Sequence, residues 1–351
     1  MKITFIIFSL DAGGAERVVS TLADFFSKKH EVDVLIYKDS PSFYELNPQV
    51  NLNVIEHKRP VKYPFKRIRN IFFRIWALRK ELLYRKSDVY IAFTTTMNLY
   101  TIIANLFLNK KIFISERVDP NATQLPPFIL LLRNLIYSKA DQLIVQNPTQ
   151  YYYFKQRVNQ NKIAIIPNPI VKNNFLNKED KTTHIVNIGR LADQKNHLDL
   201  IDAFTKANLE CDLYILGDGP NKTKLMDYIM QINMQNKIHL IGIEKNIYKY
   251  LKPNWIFAST SKYEGQPNAL LEAMNAGLGC IHYDCPSGME EIIENNVNGF
   301  LIPMGDVELF SIKLKELYVQ SNKRESMGLN AKKSVQRFQT ENIAKEWYNL
   351  F

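Results

Sequence analysis

Apolar residues in this chain fall in short β-branched runs, separated by longer stretches in which they recur every three or four positions. The runs in the first half are Lys2–Leu10, Glu31–Tyr37, Asn51–Glu56, Asp88–Phe93, Lys111–Glu116, Gln142–Gln146 and Lys162–Ile166. In the second half they are His184–Ile188, Asp212–Leu216, Lys237–Ile241, Trp255–Ala258, Gly279–Tyr283 and Gly299–Ile302. Strands alternating with helical periods predict parallel sheets covered by helices on both faces. The pattern fails once: Pro167-Asn168-Pro169 stops a strand, and Asn173 to Thr183 is polar without a period. Two doubly wound α/β domains are expected, 1–170 and 171–335, with a terminal helix over 336–351 returning to the first. Such sheets bind ligands outside the carboxyl ends of their strands. The chemistry is therefore sought in strand-to-helix loops, facing a cleft between the two domains.

Composition adds exclusions. The chain has 351 residues, 46% hydrophobic and 23% charged, ordinary for globular domains. Cys211, Cys280 and Cys285 are an odd, scattered set that fits a reducing cytosol rather than a disulfide framework. The apolar run after Lys2 is short for a signal peptide and reads as a strand. The uncharged stretch Val89 to Asn109 carries Thr94, Thr95, Thr96, Asn98, Thr101 and Asn105, too polar for a lone membrane span. A cytoplasmic protein not integral to a membrane is expected.

Charge is uneven. Residues 1–170 hold 24 Lys and Arg against 13 Asp and Glu, whereas residues 171–351 hold 21 against 22. The excess is concentrated in 58–86. There a helical wheel places Ile68, Ile71, Phe72, Ile75, Leu78, Leu82 and Leu83 on one face. Lys66, Arg67, Arg69, Arg74, Lys80 and Arg85 cover most of the rest. Such a helix either packs on a core with its basic face solvated or lies on an anionic membrane. No nucleic-acid motif accompanies the charge, so nucleic acid is not the expected partner.

Four loops carry candidate chemistry. Gly13-Gly14-Ala15-Glu16-Arg17 follows the first strand and opens a helix, which makes either a tight turn or a phosphate site. Gly189-Arg190-Leu191-Ala192-Asp193-Gln194-Lys195 sets two cations before a helix starting near His197. They are either surface charge or neutralise a leaving diphosphate. Gly217-Asp218-Gly219-Pro220 is either a tight turn only or one that lets a nucleoside approach closely. Glu264-Gly265-Gln266-Pro267-Asn268-Ala269-Leu270-Leu271-Glu272 places one carboxylate in a loop and one inside a helix predicted to start at Asn268. That pair is either two solvated acids or a clamp on ribose and sugar hydroxyls.

With Ser115-Glu116-Arg117, Pro167-Asn168-Pro169 and Asn298-Gly299-Phe300-Leu301, these motifs run in order along nearly the whole chain. Their order and spacing resemble the retaining, nucleotide-sugar-dependent glycosyltransferases of family four, which have the GT-B fold of two Rossmann-like domains facing across a cleft. The resemblance implies that Arg190 and Lys195 hold the donor diphosphate and Glu272 the ribose. Glu264, with the backbone of Gly265, Gln266, Pro267, Asn268 and Ala269, would hold the transferred sugar. Gly14, beside Gly13, would meet the phosphate from the first domain, Gly189 and Gly219 would line the nucleotide site, and Gly242 would lie near the base. It further implies retention of configuration, no metal or other cofactor, and no protein base or nucleophile to name.

The acceptor the resemblance implies is a polyprenyl-diphosphate-linked saccharide of bacterial surface glycans, met at the inner face of the cell membrane. Docking there would use 58–86; Pro126–Leu132 is either an ordinary core helix or a second lipid contact. The loops with Cys285-Pro286-Ser287-Gly288 look most like those of relatives using a UDP-linked hexose or N-acetylhexosamine; a GDP-sugar is the alternative within enzymes. A basic membrane-binding protein that keeps the fold without turnover is the alternative outside them. One departure stands out: many relatives carry His where this chain has Arg117, an always-charged donor-only group whose contact could be acceptor phosphate.

Overall fold

The computed structural model describes residues 1–39, 41–55, 64–121, 125–171, 182–286 and 288–351. The basic residues Lys58, Arg59 and Lys62, the linker Asn173 to Lys181, Ser287, and the side chains of Lys66, Arg67 and Ile68 lie outside the described set. The chain divides into two compact units, Met1–Pro169 with Thr340–Phe351, and Ile170–Gln339.

The first unit runs β1 (Lys2–Ile6), α1 (Gly14–Ser27), β2 (Glu31–Ile36), β3 (Val50–Val54), α2 (Pro64–Tyr84), β4 (Val89–Phe93), α3 (Thr95–Asn105), β5 (Ile112–Ser115), α4 (Pro127–Ile136), β6 (Gln142–Val145), α5 (Pro148–Phe154) and β7 (Ile163–Ile165). The second runs β8 (Ile185–Ile188), α6 (His197–Ala207), β9 (Leu213–Leu216), α7 (Lys222–Gln231), β10 (Ile238–Gly242), β11 (Ile256–Ser259), α8 (Asn268–Ala276), β12 (Gly279–Asp284), β13 (Phe300–Pro303), α9 (Val307–Val319) and α10 (Ser321–Ser334). The closing helix α11 (Thr340–Tyr348) belongs to the first unit.

Every strand pairing is parallel, in the orders β3-β2-β1-β4-β5-β6-β7 and β10-β9-β8-β11-β12-β13. Both orders reverse direction once, between β1 and β4 and between β8 and β11. Strand-to-helix loops diverge at those points and leave a crevice. The central strands are buried on both faces, as their continuous β-branched runs require, whereas the edge strands β3, β7 and β10 are partly exposed. Helix ends follow local chemistry. Asn147 caps α5 through the Gln150 amide with Pro148 at its first position, and Gly277 closes α8 at φ 85°. The return of α11 is held by aromatic packing: Trp347 stacks on Phe93 with centroids 5.9 Å apart, and Phe351 lies 5.5 Å from Phe26.

Helix α2 corrects the wheel drawn from sequence. Leu78, Leu82 and Ala77 are buried, but Ile71, Phe72 and Leu83 are exposed, and so are Phe73 and Trp76. The expected basic face is also split. Arg85 is tied to Asp33 and Glu81, each at 2.7 Å. Arg74 lies over the Phe8 ring, and Arg79, outside the face drawn from sequence, donates to the carbonyls of Ala104 and Leu106. A wheel assigns faces by hydrophobicity alone. Here the neighbours offer carboxylates, helix-end carbonyls and a ring that draw arginines inward, and apolar residues are turned out.

Candidate functional site

In the second unit two loops flank the β8–β11 crevice, and side chains lock them together. After β8, Gly189 and Arg190 lead through a short turn, Asp193–Lys195, to Asn196, which takes the left-handed conformation (φ 50°) at the start of α6. After β11, residues 260–267 lead to α8, which starts at Asn268 as the sequence predicts. Thr260 Oγ1 donates to the Asn196 carbonyl at 2.8 Å, Gln194 Nε2 to the Tyr263 carbonyl at 2.8 Å, and the Lys262 amide to the Gln194 carbonyl at 2.8 Å.

Across this join Lys195 Nζ meets Glu264 Oε1 at 2.6 Å. Glu264 is only 6% exposed. Burial pushes its carboxyl up, but the ammonium of Lys195 and the Ser261 hydroxyl outweigh burial and hold it below the usual carboxylate range. Glu272, one turn inside α8, is also buried. Arg190 is exposed and makes no ion pair with the described residues. The two cations expected to act alike are therefore in different states, one anchored and one uncommitted.

The glycines divide similarly. Gly217 has φ 141°, and a Cβ there would fall on the Gly189 carbonyl oxygen; a Cβ on Gly219 would fall on the backbone of Leu191. Leu191 N donates to the Asp218 carbonyl at 3.0 Å. This turn is thus bare because the neighbouring loop fills the space, a reason distinct from the nucleoside approach inferred from sequence. Gly242 is the reverse: its amide carbonyl accepts from Gly217 N at 2.8 Å, its φ is 84°, and nothing lies within 4 Å of where its Cβ would be. Gly189, Gly219, Gly242, Glu264–Ala269, Glu272, Arg190 and Lys195 therefore lie at the carboxyl end of one sheet, in its loops, at the end of β10 and in the first turns of α8.

Gly13 and Gly14 belong to the first unit, where α1 begins at Gly14. Glu16 folds back to where a Cβ on Gly13 would reach, and burial raises its pKa. An anion approaching this helix start meets a carboxylate that must move or take a proton. At the end of β5, Glu116 points inward and accepts from Tyr137, Thr95 and Asn98. Arg117 is buried, its guanidinium 4.9 Å from the Phe93 centroid and 5.8 Å from that of Trp347, with one hydrogen bond to Asn168. Burial lowers its pKa to about 9. The acceptor-phosphate contact raised from sequence has no exposed guanidinium to make it in this conformation.

Sequence reasoning missed Ser261, Gln194 and Thr260, which shape the join, and two buried histidines. His197 faces Asn187 at 3.1 Å, and burial lowers its pKa to about 4, so it is neutral. His282 lies buried near Glu264. A histidine at a predicted helix start was the one available signal.

Residues 171–334 match the family model of glycosyl transferases group 1, and residues 12–173 match that of Glycosyltransferase Family 4. The GalNAc-alpha-(1->4)-GalNAc-alpha-(1->3)-diNAcBac-PP-undecaprenol alpha-1,4-N-acetyl-D-galactosaminyltransferase of Campylobacter jejuni is 30% identical over 100% of this chain and 98% of its own. The amylovoran biosynthesis glycosyltransferase AmsD of Erwinia amylovora is 25% identical over 97% and 96%. Among solved structures, Anabaena HepE in complex with UDP and glucose superposes with a TM-score of 0.84 at 18% identity, covering 99% of this chain and 98% of that one.

Proposed function

The chain belongs to the group 1 glycosyltransferases, its first half to family 4, and from that premise we propose that it moves a hexose or N-acetylhexosamine from a UDP-sugar to a saccharide carried on polyprenyl diphosphate. The proposal includes retention of configuration and independence of metal. The observation that carries it is the Lys195–Glu264 pair at the β8–β11 crevice, with uncommitted Arg190 in the same loop.

When the sugar C1–O bond breaks, the electron pair goes to the β-phosphate oxygen, and charge grows on the diphosphate. Arg190 supplies a guanidinium fork to it and Lys195 an ammonium already oriented by Glu264. Such fixed charges act where transition-state charge develops and need no reorganisation. In this reading Glu264 holds a hydroxyl of the transferred sugar and Glu272 the ribose diol. Open space at Gly242 leaves room for the base. No protein group is assigned as base or nucleophile.

The acceptor class is supported by the Campylobacter relative, whose name specifies an undecaprenyl-diphosphate-linked substrate. Bacterial surface-glycan assembly on the inner face of the membrane follows as the setting. Among the described residues no helix is long and apolar enough to cross a membrane. Association is assigned to the exposed residues of α2, in particular Phe72, Trp76, Arg69 and Lys80.

Calorimetric titration with UDP, GDP and TDP, without metal and with EDTA, tests the donor reading, and transfer to a polyprenyl-diphosphate disaccharide tests the reaction. Metal-independent binding selective for UDP is expected. Selectivity for GDP would move the donor class; binding of no nucleotide with intact folding would favour the non-catalytic membrane binder.

A further inference from the structure

The turn after α3 holds a phenylalanine out into solvent. Phe107 is 94% exposed and adopts φ 66°, a left-handed conformation that is unfavourable for a bulky residue and persists only where the surroundings impose it. They do so here. Asn105 Nδ2 donates to the Lys110 carbonyl at 2.9 Å, and the Lys110 amide donates back to Asn105 Oδ1 at 3.1 Å. Arg79 Nη1 reaches in from α2 to the carbonyls of Ala104 at 2.8 Å and Leu106 at 2.7 Å. Residues 105–110 are thus closed into a hydrogen-bonded loop whose tip is an exposed aromatic ring.

The surroundings indicate what it meets. Phe72, Trp76, Arg79 and Leu83 follow one another at helical spacing, so the arginine that grips the turn sits in the middle of an exposed apolar stripe. Helix α3 also packs against α4, whose Leu131 and Leu135, toward its C-terminal end, are exposed at 57% and 62%. Around them Arg69, Lys80, Lys86 and Lys139 are exposed, and Lys80 lies 3.7 Å over the Trp76 ring. Across 69–86, 104–111 and 125–139 there is one acid, Glu81, and Arg85 pairs with it. Asp88 and Asp141 are exposed just beyond these stretches, but the bases outnumber them, and an apolar surface with a predominantly basic rim complements an anionic bilayer.

We propose that Phe107 is a lipid-inserting wedge, flanked by the α2 stripe and α4, and that its partner is the acyl region beneath anionic headgroups. The inference rests on the membrane reading above and extends it from one helix to a surface assembled by three elements. It also makes the turn's strain meaningful: a residue without a side chain would suit the backbone better, and the ring is retained for what it enters.

The test uses the full chain with Phe107→Gly, and with Phe107→Cys carrying an environment-sensitive fluorophore. Labelling is selective because Cys211, Cys280 and Cys285 are buried. Vesicles are phosphatidylcholine with phosphatidylglycerol, or phosphatidylcholine alone. On the mixed vesicles the label is expected to shift blue and be quenched by acyl-chain quenchers. Phe107→Gly should bind them about tenfold or more weakly, as loss of one buried ring predicts, while its melting temperature holds or rises. If the parent binds vesicles, Phe107→Gly binds equally and the label stays in water, the wedge is wrong and the α2 reading stands. If the parent binds no vesicles, both fall. Protection of the label by a dimer seen in light scattering, without vesicles, would overturn the proposal in favour of a second copy.

Discussion

Replacing Lys195 by methionine separates what the Lys195–Glu264 pair does for the fold from what it does for the donor. Both side chains are largely buried and 2.6 Å apart. Removing one partner of a buried pair leaves the other charge uncompensated, at a cost of about 3–5 kcal/mol. For a unit of this size, about 2–4 °C per kcal/mol makes the expected fall in melting temperature about 10 °C. The double variant Lys195→Met with Glu264→Gln should lose much less than the sum of the single losses, because no buried charge remains.

The pH dependence gives a sharper sign. In the parent, Glu264 is held below the usual carboxylate range, so its contribution is present above that range and is lost as pH falls through the folded pKa. In Lys195→Met burial dominates, the folded pKa lies above the unfolded one, and stability rises as pH falls through that window. Thermal melts of both proteins across the acid range would decide the matter. Equal slopes, or an unchanged melting temperature in Lys195→Met, would refute the argument that this ion pair organises the crevice.

Arg190→Ala should leave stability unchanged, because the side chain is exposed without an ionic partner among the described residues. Transfer should still fall by about a hundredfold or more if it neutralises the leaving group, as steady-state kinetics would show. Gly217→Ala puts a Cβ on the Gly189 carbonyl at φ 141°; a loss exceeding about 1 kcal/mol in denaturant titration and loss of UDP binding are expected, and a neutral result would mean that the loops are not so tightly joined. For Arg117 stability also rises with pH, as it does for Glu264, but here the charged form is a cost to the fold rather than a support. Its folded pKa is lowered to about 9, so its charge burdens the folded state below that value and is relieved as pH rises toward the unfolded pKa. Arg117→Met should hold or raise the melting temperature at neutral pH, and the gain should shrink above pH 9; a fall would show that the Asn168 hydrogen bond outweighs burial of the charge.

The strands, their parallel sheets and the start of α8 at Asn268 were legible in the sequence because each depends on local periodicity or on a turn residue. Family membership was legible because short motifs kept their order. The faces of α2 were not, since what turns Arg74, Arg79 and Arg85 inward is Phe8, the end of α3 and Asp33, contributed by other elements. Nor was the inequality of the two cations. Lys195 and Glu264 are 69 positions apart, and only the strand order that sets β8 beside β11 brings their loops together. Patterns along a chain report what each residue prefers. Which preference is met, by ion pair, by a neighbour's backbone or by solvent, is decided by non-local packing, and so the sequence by itself offered candidate residues while the tertiary structure assigned them their partners.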